Sequence, residues 1–126
     1  MKALFVGFIL AVSTAWGHHS FAAEYDSKQA IKLTGAVTKI DWTNPHVYFY
    51  IDVKDPDTGR VVNWSFEMGA PSAIQSRGWK RNTLSIGDIV TVEGTRAKDG
   101  GLHGNARAVT LTATGQRLGA ASSEGN

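Results

Sequence analysis

From Ile31 the chain alternates. Ile31, Leu33, Gly35 and Val37 fall on one face, Lys32, Thr34 and Thr38 fall on the other, and the pattern runs on towards Ile40 and Trp42. A period of two marks a half-buried strand, because successive side chains of extended backbone point to opposite faces. Gly35, in the middle of this run, predicts a bend or bulge of the kind a strand needs when it serves both sides of a small barrel. Thr43-Asn44-Pro45 interrupts the pattern, since proline donates no backbone hydrogen bond and restricts the residue before it. His46 is then expected to open a second strand, with Val47, Phe49, Ile51 and Val53 on one face and His46, Tyr48, Tyr50 and Asp52 on the other.

The turn residues Asp55-Pro56-Asp57-Thr58-Gly59 lead into a third strand, Val61 to Glu67. If Val62, Trp64 and Phe66 share a core with Phe49 and Ile51, the opposite face pairs His46, Tyr48 and Tyr50 with Asn63, Ser65 and Glu67. Pro71 to Arg77 reads as a short helix stopped by Gly78, with Trp79 packed under it. A fourth strand is expected over Ile89 to Arg96 and a fifth over Asn105 to Thr112, joined through Asp99-Gly100-Gly101. Five strands with a helix between the third and fourth match an all-β, OB-like Greek-key barrel over residues 31–112. A jelly roll needs more strands and an immunoglobulin sandwich usually has seven. Beyond Ala113 the chain is rich in Gly, Ala and Ser, so residues 113–126 are expected to form a flexible tail.

The chain has 126 residues, enough for one small domain, and no cysteine, so neither a disulfide nor a thiolate metal site is available. The formal charge is +2, with Lys and Arg scattered among Asp and Glu. No basic track with interleaved aromatics exists, which argues against nucleic acid.

The first seventeen residues have the three parts of an export signal. Lys2 supplies the charge, and Ala3 to Val12 form an apolar run well short of the roughly 20 residues of a spanning helix. Ala15 and Gly17 are the small residues that precede a cleavage site. Cleavage after Gly17 would place the protein in the periplasm or outside the cell, without a membrane span, and leave residues 18–30 as an extended arm with Phe21 and Tyr25 touching the domain. His18 would become the terminal residue. Its α-amine, its own Nδ1 and the imidazole of His19 are donors of the kind that Cu(II) accepts.

His18-His19-Ser20-Phe21, Trp42-Thr43-Asn44-Pro45-His46, Trp64 with Glu67, Arg77-Gly78-Trp79 and Gly87-Asp88 with Val90 resemble a bacterial family of exported proteins, the domain of unknown function 6152. The likeness implies export and a single small β domain. It implies no activity.

Two functional readings stand. In the first, a periplasmic protein binds copper through His18 and His19, with His46 or His103 completing the set. In the second, an OB-type module without metal uses Tyr48, Tyr50, Asn63 and Glu67 to hold an oligosaccharide, a peptide or an envelope protein. Each residue also has a plainer role. His46 can cap a turn, His103 can be an exposed hairpin residue, Glu67 can pair with Arg77 or Lys80, and the tryptophans can be core. No nucleophile motif, phosphate loop or pair of catalytic carboxylates is present, so no enzymatic activity is expected.

Overall fold

A computed structural model describes residues 24–122, so the expected signal segment, His18, His19, Phe21 and the last four residues lie outside the described part. The described residues are mostly strand: β1 Tyr25–Asp41, β2 Tyr48–Lys54, β3 Val61–Glu67, α1 Pro71–Gln75, β4 Ile89–Ala97, β5 His103–Leu111 and β6 Arg117–Gly119. The all-β class, with its short helix between β3 and β4, agrees with the sequence pattern.

The long first strand organises the sheet. Its first part pairs with β4, from Tyr25↔Ala97 to Ala36↔Ile89, and its second part pairs with β2, from Ala36↔Asp52 to Asp41↔Tyr48, all antiparallel. Ala36 is the point of exchange. Gly35 stands just before it, and a Cβ there would lie 2.2 Å from the Asp52 carbonyl oxygen, so this position demands glycine for space. The bulge expected at Gly35 falls instead between Val37 and Lys39.

β2 pairs with β3 and β4 with β5, giving the order β3-β2-β1-β4-β5-β6. A short parallel pairing, Ser65↔His103 to Glu67↔Asn105, then joins β3 to β5 and turns five of the strands into a ring. β6 lies outside the ring against β5 and replaces part of the expected tail: Leu118 and Ala120 are buried, and the Gly119 carbonyl accepts the Trp79 indole N–H at 2.9 Å. The strand was hidden by its shortness and by the small residues around it.

The inward faces carry the expected core. Phe49, Ile51, Phe66, Val90, Val92 and Val109 are fully buried, and Phe49 stacks on Phe66 with ring centroids 5.5 Å apart. Trp64 is 6% exposed and also stacks on Phe66, with ring centroids 6.1 Å apart. Ile74 of α1, Trp79 and Leu84 join the same apolar cluster, as the sequence predicted for Trp79. β1 begins earlier than its alternation indicates. Tyr25 and Ala30 pair with Ala97 and Thr95 across a register shift, which accommodates extra residues of β1 between them, and Tyr25 is buried.

Candidate functional site

Partners across an antiparallel pair share a face, so Tyr48↔Glu67 and Tyr50↔Ser65 lie on the outer side of the β2–β3 hairpin, opposite the core pair Phe49↔Phe66. An outward carboxylate should be wet, yet Glu67 is only 8% exposed. The cover is Tyr25. Its phenol donates to Glu67 Oε2 at 2.5 Å, which ties the start of β1 to the end of β3. The Glu67 pairing with Arg77 or Lys80 weighed from sequence is thus replaced by Tyr25 and by His46, whose Nδ1 lies 3.5 Å from Oε1.

His46 stands just before β2, after the cis Asn44-Pro45 peptide, not inside the strand as expected. Val47 continues the ladder through Val47 N–H to the Gly69 carbonyl and Met68 N–H to the Val47 carbonyl, and this fixes the imidazole beside the chain it pairs with. Nδ1 also lies 3.1 Å from the Met68 carbonyl oxygen. Both neighbours of Nδ1 are acceptors, so in the neutral ring Nδ1 carries the hydrogen and Nε2 carries the lone pair.

The β4–β5 turn forms the other wall. Lys98 N–H donates to the Glu24 carbonyl at 2.9 Å, which pins the turn to the start of β1. Asp99 Oδ1 accepts the Gly101 N–H at 2.7 Å, and both Asp99 oxygens lie 3.2 Å from His103 Nε2. Arg96 holds the turn from beneath: its guanidinium donates to the Gly100 carbonyl at 2.7 Å and lies 5.2 Å from the Trp64 ring centre. His103 is therefore the first residue of β5, half-buried in an ion pair, with its ring edge-on to Tyr25 at 6.4 Å. The bare hairpin role does not describe it.

Between these walls lies a cavity of about 450 Å³, lined by Glu24, Tyr25, Tyr48, Lys98, Asp99 and His103. Its electrostatics follow from burial and from neighbouring carboxylates. Loss of water pushes the Tyr25 phenol well above the ordinary range, reinforced by its hydrogen bond to Glu67 and by the charges of Glu67 and Glu24. Tyr48 is raised for the same leading reason, with Glu67 and Glu24 adding to it. Asp99 is held below its usual value, first by the Gly101 N–H and then by His103.

Of the residues singled out from sequence, the fold gathers Tyr48, Glu67, His46 and His103 around this end of the sheet. Tyr50 and Asn63 lie further along it. The Tyr50 hydroxyl reaches Asp41 at 3.4 Å, and the Asn63 amide donates to Thr38 and Asp52, so both belong to a surface network. His18 and His19 lie outside the described residues. Among the described residues, no three of the side chains that bind metals converge on a point. Sequence reasoning missed Glu24, Lys98 and Asp99 as wall residues and read Tyr25 only as a contact. The available signal was a turn, Asp99-Gly100-Gly101, followed after Leu102 by a histidine that opens a strand.

A family model covers residues 7–107, and the chain belongs to that family, a family of unknown function (DUF6152). No curated protein matches the chain.

Proposed function

We propose that this protein is an exported, non-catalytic binding module of the periplasm that holds a small polar ligand in the cavity between the start of β1, the start of β2 and the β4–β5 turn. The observation that carries this reading is the covered carboxylate. Glu67 sits on an outer face, where exposure to water would cost nothing, and is instead enclosed by Tyr25 beside a polar, aromatic cavity. Burying a carboxylate costs free energy that apolar packing would not, and such arrangements cluster at sites that use them. An OB-like module that binds on its β2–β3 side agrees with the place of Tyr48 and Glu67. An oligosaccharide, a peptide or the exposed part of an envelope protein is a fitting occupant.

The test is a nuclear magnetic resonance screen of the exported chain against small polar compounds. Binders should move the resonances of Tyr25, Tyr48 and His103 together. Binders that instead shift Tyr50 and Asn63 would relocate the site to the exposed part of the sheet.

The second reading, copper binding, is favoured by the fixed tautomer of His46, which leaves Nε2 as a donor while Nδ1–H is held by a carbonyl, the usual support of a metal-ligating imidazole. Glu24, on the cavity wall, follows His19 by five residues, a span of less than about 20 Å even when fully extended. His18 and His19 would supply most of the ligands, with His46 or His103 completing the set. A Cu(II) titration of a chain beginning at His18, of one with an extra residue before it, and of His46→Ala separates the two readings: equal affinity in all three removes the terminal chelate.

A further inference from the structure

The connection from α1 to β4 crosses from β6 to β1 at the end of the barrel where β4 begins. Near its start the indole N–H of buried Trp79 donates to the Gly119 carbonyl of β6. At its far end Gly87 N–H donates to the Val37 carbonyl of β1 at 2.7 Å, and the Asp88 carbonyl accepts the Val37 N–H at 2.8 Å. Trp79 and Leu84 anchor it in the core, and Lys80, Arg81 and Asn82 between them are exposed.

Residues 68–87 contain Arg77, Lys80 and Arg81 and no Asp or Glu. All three cations are exposed, and none makes an ion pair or side-chain hydrogen bond among the described residues. Arg77 lies against β6, where a Cβ on Gly119 would stand 3.2 Å from its Nη1. The acids nearest in the fold are engaged: Asp88 Oδ2 accepts the Ser85 N–H at 2.8 Å, and Glu93 pairs with Arg117 of β6. Counting these, four cations face two acids at this end.

Apolar surface adjoins the charge. Ile86 is 75% exposed, the most of any large apolar side chain among the described residues, and Ile89 follows three positions later at 46%. The exposure is built into the backbone. Asp88 N–H donates to the Ser85 carbonyl at 3.0 Å, and Gly87 has φ near 94°, so Ile86 and Gly87 are the two central residues of a tight turn. Single exposed apolar residues are ordinary, but an apolar tip beside unpaired cations combines the two attractions of a lipid surface, anionic headgroups and hydrocarbon. An acidic protein would answer the cations and would need a shaped pocket for Ile86; lipid needs none.

We propose that this end of the barrel docks on an anionic bilayer surface, with Arg77, Lys80 and Arg81 at the lipid phosphates and Ile86 and Ile89 entering the headgroup region. The surface is independent of the cavity, which lies beyond the other end of β4.

The experiment is co-sedimentation of the exported chain with vesicles of phosphatidylcholine alone or mixed in equal parts with phosphatidylglycerol. The mixed vesicles should bind at least about tenfold more tightly, and most of that preference should vanish between about 0.05 and 0.5 M salt as screening shortens. Lys80→Gln with Arg81→Gln, and separately Ile86→Ser, should each weaken binding several-fold while melting as the parent does. Lys54→Gln with Arg60→Gln, exposed cations flanking the β2–β3 turn, is the control and should bind as the parent does. Equal loss in that control would mean that net charge alone drives binding, and would overturn the assigned surface. Equal binding to both vesicles, or to neither, would overturn the proposal. Binding of soluble polyglutamate as tight as that of the mixed vesicles, unchanged by Ile86→Ser, would overturn lipid in favour of an acidic protein partner.

Discussion

The two faces of the β2–β3 hairpin are built from the same fourteen residues of paired strand and solve opposite problems. On the inner face Phe49, Ile51, Trp64 and Phe66 need only size and shape, and each is supported by neighbours of its own kind. On the outer face Tyr48, Tyr50, Ser65 and Glu67 need specific partners. Part of that face remains open, with Asn63 and Tyr50 in a surface network, and the other end is closed by Tyr25 brought from the far end of β1. Packing tolerates exchange among apolar groups of equal volume, whereas a buried polar group left without its partner is penalised in full. The inner face therefore explains why the domain folds, and the outer face explains what the fold is shaped to present.

The largest expected effect breaks the inner face. Trp64→Ala removes a buried ring stacked on Phe66 and covered by Arg96, and should cost about 3–5 kcal/mol in chemical denaturation, much of the stability of so small a domain. The two faces are distinct if this loss leaves the Tyr25–Glu67 contact intact in whatever fraction remains folded. A melting point within a degree or two of the parent would show that Trp64 is not a core residue.

How far each face was legible follows from the range of the forces that build it. Parity along Phe49, Ile51 and Val53 is a local signal, and the hydrophobic effect enforces it whatever the partner strand. The pairing of Tyr48 with Glu67 followed from the same parity. The burial of Glu67 did not, because it depends on a residue 42 positions away in sequence that sits in a polar stretch with no alternation of its own. His103 was misjudged for a related reason: two glycines before it and one after look like a loop, but pairing of Gly104 with Phe66 and Arg96 makes that stretch a strand between β3 and β4. A Cβ on Gly104 would meet the Thr95 carbonyl oxygen at 2.8 Å, so the glycine marks a close approach instead of freedom. β6 was lost among small residues, although Leu118 is its one large apolar side chain and is buried.

A smaller effect sharpens the comparison on the outer face. Glu67→Ala leaves the Tyr25 phenol buried without its acceptor and should cost about 1–3 kcal/mol. Adding Tyr25→Phe removes the stranded hydroxyl. The double variant should then be destabilised by less than the sum of the two single changes, with a coupling of at least about 0.5 kcal/mol between residues in direct contact. Strict additivity in a double-mutant cycle would mean that the bond contributes nothing and that Tyr25 acts as an apolar lid alone.

The smallest effect is confined to alkaline solution. Burial first, then the bond to Glu67 and the nearby carboxylate charges, raises the Tyr25 phenol above the value near 10 that an unfolded chain would show. Above that pH the unfolded state releases a proton that the folded state keeps, so the folded state binds more protons and stability falls as pH rises. The sign is that of a group with a raised folded value: its contribution is complete below about pH 10 and is lost progressively above it. Tyr25→Phe should flatten this alkaline decline while leaving stability near pH 7 lower or little changed. Tyr48, also raised, should leave a residual slope. In a tyrosine absorbance titration of the folded protein, Tyr25 should resist ionisation until the chain unfolds, and the variant should lack that late step. An unaltered alkaline slope in Tyr25→Phe would show that the phenol is not held protonated by the fold, and the outer face would lose the feature that separates it from an ordinary wet sheet surface.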